Sequence, residues 1–494
     1  MEAQSNGSKD GVLNSHHPEE QQKEQGSGKW EMPDIYIILT FMILIVSVLT
    51  YAIPTGKFDR ITLENGRETV VAGSYQLVEA SPVGAMEVVT AIPRGLSEAS
   101  VVVFLTLLVG GSIGVLQRTG VINYGVNLLI KQLGSATYLM VPILMIVFAA
   151  VCSFIGTPEL GIAYLPIVIP LMLRLGYDSM TAVATVLISC TFGFAFGITS
   201  PTNVGLGHML AELPMFSGAG FRVMVLSLVM IVSVAYVVLY ARKVKANPQS
   251  SVTYDHDVKL KLTLLGKGDE KGEESEQEPT TRLKIAGLAT LVMFVGIIAS
   301  TLKFRLGFYE LSGLFMTMAI ITSIIIGHRG NQICENFNTA FQGMLVGALI
   351  TGVARAVSVV LTDGQILDTI VYNLSEMLGS LPNSVTSIGI LLTQAVFNFL
   401  VPSGSGQTLL TLPILLPLAD LIGLTRQIVI LATQWGDGIT NILFPTSGYF
   451  MAILVMAKVD YMKWVRFFLP LLGIVIAISI GFLLVAQAID LGPF

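Results

Sequence analysis

Ser403, Ser405, Gln407 and Thr408 crowd three hydroxyls and a carboxamide around Gly404 and Gly406, in the stretch FLVPSGSGQTLLTLPILLP (399–417). A second stretch, FIGTPELGIAYLPIVIP (154–170), has the same Phe-to-Gly/Pro start and the same Pro-x-x-x-Pro finish, and sets Gly156, Thr157 and Glu159 at the matching place. Two shorter motifs follow them: TSPTN (199–203), with Ser200, Thr202 and Asn203, and FPTSG (444–448), with Thr446 and Ser447. Such residues offer oxygens to a hard cation and hydrogen bonds to a small polar ligand. Charge is available from Glu159, from Asp437 in QWGDGITN (434–441), and from Arg355 in GVARAVSVVL. The candidate substrate-binding set is Gly156, Thr157, Glu159, Thr202, Asn203, Arg355, Ser403, Gly404, Ser405, Gln407, Thr408 and Asp437. Ser200, Asn203, Thr446 and Ser447 are candidate sodium ligands.

The elements that must position these residues are membrane helices. Of 494 residues, 53% are hydrophobic and 12% charged, against about 25% charged in a soluble domain. Runs at 35–53, 101–117, 137–154, 221–241, 285–302, 311–327, 342–361 and 465–488 approach the roughly 20 residues that cross a bilayer. The chain reads as an all-α polytopic membrane protein. At membrane depth an ionisable residue is a functional-site hypothesis by default, which singles out Glu159, Asp437 and Arg355. His208, in GLGHMLAELP, reads as interfacial. Residues 1–30 carry no apolar signal-peptide core and read as a disordered cytoplasmic tail. The hydrophilic stretch 242–282, with GDEKGEESEQEP inside it, reads as a solvated cytoplasmic linker, and much of the net charge of -5 sits in these two segments. Cys152, Cys190 and Cys334 show no pairing or metal spacing.

The two stretches belong to two copies of one unit. Pro413 and Pro417 follow Pro166 and Pro170 by 247 positions, and LITGVARAVSVVLTDGQI (349–366) parallels LLVGGSIGVLQRTGVI (107–122). An amphipathic segment ending in Leu-Gly-Ser comes next in each copy, at 133–135 and 378–380. The first half spans 31–241 with a re-entrant hairpin at 155–175. Connecting helices occupy 283–341, and the second half spans 342–494 with a re-entrant hairpin at 401–423. Lys23 and Lys29, and Arg242, Lys243 and Lys245, place both tail and linker in the cytoplasm by the positive-inside rule. An even number of crossings must separate them, which requires the segment near 120–134 to cross as well. The second copy then starts from the opposite side, as an inverted repeat. Lys458, Lys463 and Arg466 agree with this orientation; Arg426, Lys303 and Arg305 run against it.

Bare backbone polar groups cost several kcal/mol each in hydrocarbon, so a helix breaks there only inside protein or beside water. Inverted repeats broken at matching places are the architecture of secondary transporters, where half-helix N-termini face anions and unwound carbonyls bind cations. On this reading Gly404 and Gly406 turn the backbone at a hairpin tip, while Pro402, Pro413 and Pro417 limit the helix. Small polar residues also serve close helix packing, but four such motifs at matching places favour a site. No H-E-x-x-H occurs, and the serines of SGSG have no histidine in an apolar run of their own repeat, so no catalytic residue is expected. Channels line pores with re-entrant loops too; two non-identical hairpins in one chain favour a carrier.

The sequence resembles the YfcC family of basic amino acid antiporters, which groups with the DcuC-like C4-dicarboxylate carriers of the ion transporter superfamily. The resemblance is carried by MPDIYIILTF, IPTGKFDR, RLGYDSMTAV (174–183), FSGAGFRVMV (216–225), VFNFLVPSGSGQTLLTLPILLPLADLIG (396–423), QWGDGITNILFPTS (434–447) and KVDYMKW (458–464). It covers nearly all the chain outside tail and linker. It implies inverted repeats, two re-entrant hairpins, a homodimer, elevator-like movement and the bacterial cytoplasmic membrane. Carried over, the superfamily's substrate and cation motifs fall on 156–159, 200–203, 403–408 and 445–447. One departure stands out: antiporters of this family carry Gly-Met-Gly-Glu-Glu at the first tip, and here Gly156, Thr157, Pro158, Glu159 and Leu160 leave one carboxylate of the pair. The expectation is an amino acid antiporter-like secondary transporter coupled to Na+, H+ or a counter-substrate, with carriage of C4-dicarboxylates or other organic anions as the alternative. Its partners are a small-molecule substrate, the lipid bilayer and a second copy, with no nucleic acid, and no cofactor beyond the coupling ion.

Overall fold

A computed structural model describes residues 35–63, 68–265, 280–304 and 306–492. The expected tail (1–30) and residues 266–279 of the expected linker lie outside the described residues. Helix α1 (Ile35–Ala52) leads into four short strands, β1 (Gly56–Lys57), β2 (Arg60–Thr62), β3 (Glu68–Val70) and β4 (Gln76–Leu77). The first helical series is α2 (Ala85–Glu98), α3 (Ser100–Arg118), α4 (Val121–Leu133), α5 (Met140–Ile155), α6 (Gly161–Arg174) and α7 (Ser179–Ala195). A π-helical turn at Pro201–Gly205 precedes α8 (Leu206–Leu210), α9 (Ala219–Ala246) and α10 (Tyr254–Leu265). Then come α11 (Thr281–Phe304), α12 (Phe308–Ile326), α13 (Gly330–Asp363), α14 (Leu367–Gly379) and α15 (Asn383–Phe397). The chain closes with α16 (Gly404–Ile422), α17 (Arg426–Thr440), α18 (Gly448–Met456) and α19 (Tyr461–Ala488).

Every apolar run of the sequence is helical. Among the described residues seven helices are long and apolar enough to cross a membrane, and the protein is a multi-pass membrane protein. Apolar side chains such as Phe41 and Val48 on α1, and Leu288, Leu291 and Val292 on α11, point outward, as a lipid-facing surface requires. Two helices are buried on all sides: α7 throughout, and α17 from Gln427 onward. A helix with no solvent or lipid face belongs at the centre of a bundle. They approach each other where Gly438 meets Ala195, leaving no room for a Cβ. Gly193 of α7 lies equally close to Ala149 of α5, and Gly436 of α17 to Leu391 of α15.

The structure corrects several expectations. Pro413 and Pro417 do not end a helix but lie inside α16, as their counterparts Pro166 and Pro170 lie inside α6. Gly404 and Gly406 are helical rather than a hairpin tip; the chain turns before them, over 398–403. A proline removes one intrahelical bond and displaces the carbonyl four residues earlier. For Pro413 that carbonyl is Leu409 O, which accepts a 2.9 Å bond from Thr69 Oγ1 on β3. The strands, absent from an all-α expectation, pair as β1–β4 and β2–β3 and are fastened to the helices. Arg60 pairs with Asp368 at 2.9 and 3.0 Å, Phe58 N donates to the same carboxylate, and Tyr75 stacks on Tyr372 at 4.2 Å.

Helix α4 has 13 residues, about 20 Å at 1.5 Å per residue, and a 3-10 helix, Gly134–Leu139, continues it directly. Arg426, which ran against the charge count, is neutralised by Asp420 at 2.8 Å. Helix α13 runs unbroken through the boundary drawn at 341/342. Part of the expected linker is packed rather than solvated. Asp257, buried at the start of α10, accepts from Ser179 N at 3.0 Å, beside Asp178, which accepts from Thr181 N at 2.8 Å. Two carboxylates there satisfy orphan amides at the positive end of α7. His208 is fully buried, with Nε2 3.2 Å from Gln427 Oε1.

Replacing Thr69 by Val deletes the donor to Leu409 O while keeping the shape. A buried carbonyl left unpaired costs about 1–3 kcal/mol. Denaturant titration of the purified protein is expected to show a loss in that range, with Thr69→Ser close to wild type.

Candidate functional site

Four interruptions build the site, and each has a local cause. Helix α5 ends at Gly156, whose φ of +75° is left-handed. A methyl there would also lie 2.1 Å from Ser200 Oγ and 2.8 Å from Thr202 Oγ1, so only glycine meets both conditions. Thr202 Oγ1 donates to Gly156 O at 2.9 Å, and Ile198 N donates to Ser153 Oγ at 2.9 Å. The second interruption, after α7, is thereby fastened to the first. In the other half Ser403 caps α16, accepting from Gly406 N at 3.3 Å. Asn398 Nδ2 donates to Asp437 O and Thr440 Oγ1, both at 3.0 Å, and Asn441 Nδ2 donates to Asp437 O at 3.2 Å.

Carbonyls released at the interruptions are met by side chains from elsewhere. Gln434 Nε2 reaches Gly197 O at 3.3 Å and Arg222 Nε reaches Ile198 O at 3.1 Å. Trp464 Nε1 donates to Ile442 O at 2.7 Å, Tyr461 OH to Leu443 O at 3.0 Å, and Ser358 Oγ to Leu400 O at 2.9 Å. Arg222 is fully buried and spends its remaining donors on Ser217 O and Phe216 O.

Between the interruptions lies a cavity of about 400 Å³, within the range of small-molecule sites. Its wall includes Gly156, Thr157, Glu159, Thr202, Arg355, Ser403, Gly404, Ser405 and Thr446 from the sequence-based set. Glu98, Phe194, Asn441 and Tyr449 join them. Arg355 has the carboxylate partner that its own neighbourhood lacked: its Nε lies 3.1 Å from Glu98 Oε2 at the end of α2. Glu159 makes no ion pair among the described residues. The wall thus carries a free carboxylate, an Arg–Glu pair, several hydroxyls and the N-terminus of the 19-residue helix α16, whose amides favour an anion. Cationic and anionic groups of one small ligand can both be met there.

Six other members of the set stand behind the wall. Gln407 Nε2 is bound to Gln394 O at 2.8 Å, and Thr408 Oγ1 to Gly404 O at 2.7 Å. Ser200 Oγ lies 3.2 Å from Thr202 Oγ1. Asn203, Ser447 and Asp437 are buried, and each keeps side-chain polar atoms with no hydrogen-bond partner among the described residues: Asn203 Nδ2, Ser447 Oγ and both oxygens of Asp437. Thr446 Oγ1 on the wall is equally unpaired. The free hydroxyls of Thr446 and Ser447 suit a hard cation; Asn203 offers a donor, its oxygen being held by Val204 N at 2.8 Å. Sequence reasoning missed Glu98, which lies 257 positions from Arg355 and sits at the edge of an apolar run. Asn441 closes the QWGDGITN motif and was within reach.

The model of the DcuC family, described as C4-dicarboxylate anaerobic carrier, matches residues 32–488. An Escherichia coli (strain K12) relative, named "Putative basic amino acid antiporter YfcC", is 30% identical over 91% of this chain and 95% of its own length. A Haemophilus influenzae relative, described as "Uncharacterized protein", is 29% identical over 93% of this chain and 97% of its own. Looser likenesses are to two solved structures. One is the Alcanivorax borkumensis YdaH transporter, with TM-score 0.40 and 16% identity, covering 93% of this chain and 100% of that one. The other is Neisseria gonorrhoeae MtrF, of a class of antimetabolite efflux pumps, with TM-score 0.42 and 15% identity, covering 92% and 95%.

Gly156 and Gly120 both have left-handed φ, +75° and +78°, but a Cβ on Gly120 meets nothing within 4 Å. Gly120→Ala is expected to cost only about 1–2 kcal/mol of backbone strain. Gly156→Ala must in addition push Ser200 and Thr202 away, and unfolding titrations are expected to show a clearly larger loss.

Proposed function

This chain belongs to the DcuC family, and from that premise we propose that it is a secondary active transporter of small amino acids, working as an antiporter-like exchanger. It is a multi-pass membrane transporter. The observation that carries the finer reading is the cavity wall, where the unpaired carboxylate of Glu159 shares one small space with Arg355 and the amide end of α16. A ligand with an ammonium and a carboxylate group satisfies both. The ammonium pairs with Glu159, while the carboxylate faces Ser403, Ser405 and the free amides of α16. The name of the Escherichia coli relative supports the amino acid class.

The remaining elements of the reading rest on the symmetry of the chain. The order α5, α6, α7, interruption, α9 recurs as α15, α16, α17, interruption, α19, in keeping with two inverted repeats. The two halves of the repeat alternate access to the cavity in an elevator-like movement, and a homodimer in the bacterial cytoplasmic membrane carries the scaffold. Thr446 and Ser447, with their unpaired hydroxyls, hold a coupling sodium ion beside the substrate. A second reading, a C4-dicarboxylate carrier, is favoured by the family description and by Arg355, if Glu98 lets it go.

The two readings separate in a thermal-shift panel with arginine, ornithine, neutral amino acids and C4-dicarboxylates, each with and without sodium, since a ligand raises the midpoint by mass action. Amino acids are expected to stabilise the protein, and Glu159→Gln to weaken them at least about tenfold, the loss of a charged hydrogen bond being worth roughly 1.5–3 kcal/mol. A shift with dicarboxylates alone, unchanged in Glu159→Gln, overturns the amino acid reading. Exchange in proteoliposomes that keeps its cation dependence in Asn203→Ala and Thr446→Ala removes those two residues from the site.

A further inference from the structure

Asp437 is a buried carboxylate on the central helix α17 that does not line the cavity. It sits on α17, 2% exposed, and neither side-chain oxygen has a hydrogen-bond partner among the described residues. Asn398 and Asn441 both donate to Asp437 O, and the Asn441 amide, which also acts on the carboxyl, is neutral and brings no counter-charge. A methyl built on Gly404 would lie 3.0 Å from Asp437 Oδ2 and 2.5 Å from Phe194 Cζ. The carboxylate therefore presses against the backbone of a residue that lines the cavity, one layer behind the wall. One turn further along the same helix face, Asn441 reaches the cavity directly. One turn back on that face, Thr433 Oγ1 is buried and likewise unpaired, and so is Gln434 Oε1 beside it.

A bare carboxylate buried without a partner is not a tolerable resting state; such a group is neutralised by a proton or held by a cation. No lysine, arginine or histidine forms an ion pair with Asp437 among the described residues. The titratable groups that act on it electrostatically are Glu159, from the turn after α5, and Tyr449, on α18. Glu159 would add to the local negative charge, which strengthens the need for a counter-charge. Gly404 of α16 beside the carboxylate, and Asn398, which bonds its backbone, carry no charge.

We propose that Asp437 binds a monovalent cation, a proton or a sodium ion, in a site of its own behind Gly404, distinct from the substrate cavity and from the Thr446–Ser447 hydroxyls. Gly404 is the partition between the two sites. Movement of the first turn of α16 on ligand binding changes the space open to Oδ2, so occupancy of one site is linked to occupancy of the other. The proposal rests on the transporter reading for its purpose, but the site itself is tested without any substrate.

The test uses the full-length protein in lipid nanodiscs, with sodium alone as probe against potassium at constant ionic strength, and with infrared spectroscopy of the carboxyl region. On the sodium arm, the wild-type melting midpoint rises with NaCl and not with KCl, and Asp437→Asn weakens the apparent sodium affinity at least about tenfold. On the proton arm there is no sodium response through Asp437, and the wild type shows a protonated-carboxyl band that Asp437→Asn removes. Gly404→Ala keeps the carboxylate but crowds Oδ2, and is expected to shift whichever signal the wild type gives; it serves if Asp437→Asn does not fold. An unchanged sodium response together with an unchanged carboxyl spectrum in both variants overturns the proposal. Failure of the amino acid panel, with either arm positive, overturns the substrate reading and leaves this site standing.

Discussion

A carbonyl released from a helix at membrane depth has no water to turn to, and this structure is arranged around that constraint. Four interruptions expose such groups, and each is met by a side chain from a different part of the chain. Gln434 and Arg222 serve the interruption after α7; Trp464 and Tyr461 serve the one after α17. Thr202 joins the interruption after α5 to the one after α7, and Ser358 reaches across from α13 to the one before α16. The same logic extends to α16, where the carbonyl displaced by Pro413 is met by Thr69. What the membrane forbids locally, the tertiary structure supplies from a distance.

Not every group is satisfied, and the exceptions are informative. Most buried polar atoms of a native protein have a partner. Among the unpaired ones, Asn203 Nδ2, Thr446 Oγ1, Ser447 Oγ and the Asp437 carboxylate lie at or beside the interruptions. A cavity of about 400 Å³ lies among them. The scaffold is close-packed through α7 and α17, with glycines where backbones touch.

The charge of the cavity is equally selective. Arg355 is held by Glu98 in a pair with both side chains about two-fifths exposed, 38% and 41%. Such a pair adds little to stability, but it restrains a cation that would otherwise dominate the wall. Glu159 then stands as the free charge, and the amide end of α16 as the counterweight. One free carboxylate and one helix N-terminus on a single wall are the basis of the proposal that the ligand bears both signs.

Much was legible in the sequence because membrane insertion is read from composition along the chain. The apolar runs determined the helices, and the recurring Gly/Ser/Thr motifs located all four interruptions, while the Pro-x-x-x-Pro pairs lie inside α6 and α16. Nine residues of the cavity wall were on the candidate list for that reason. Local rules failed where distant packing overrode them. Proline and glycine predicted a break inside 404–417, yet α16 runs through, since Thr69 and the surrounding helices satisfy and hold it. Glu98 carried no signal, because its meaning is Arg355, 257 positions away. Gln407 and Thr408 had the right chemistry and the wrong direction, which depends on helical register rather than on residue type. Composition and pattern along the chain determined that this protein spans the membrane and where its helices break. Only the tertiary structure decided which polar groups repair those breaks and which are left free to bind, because hydrogen-bond satisfaction at membrane depth is a property of what comes together in space.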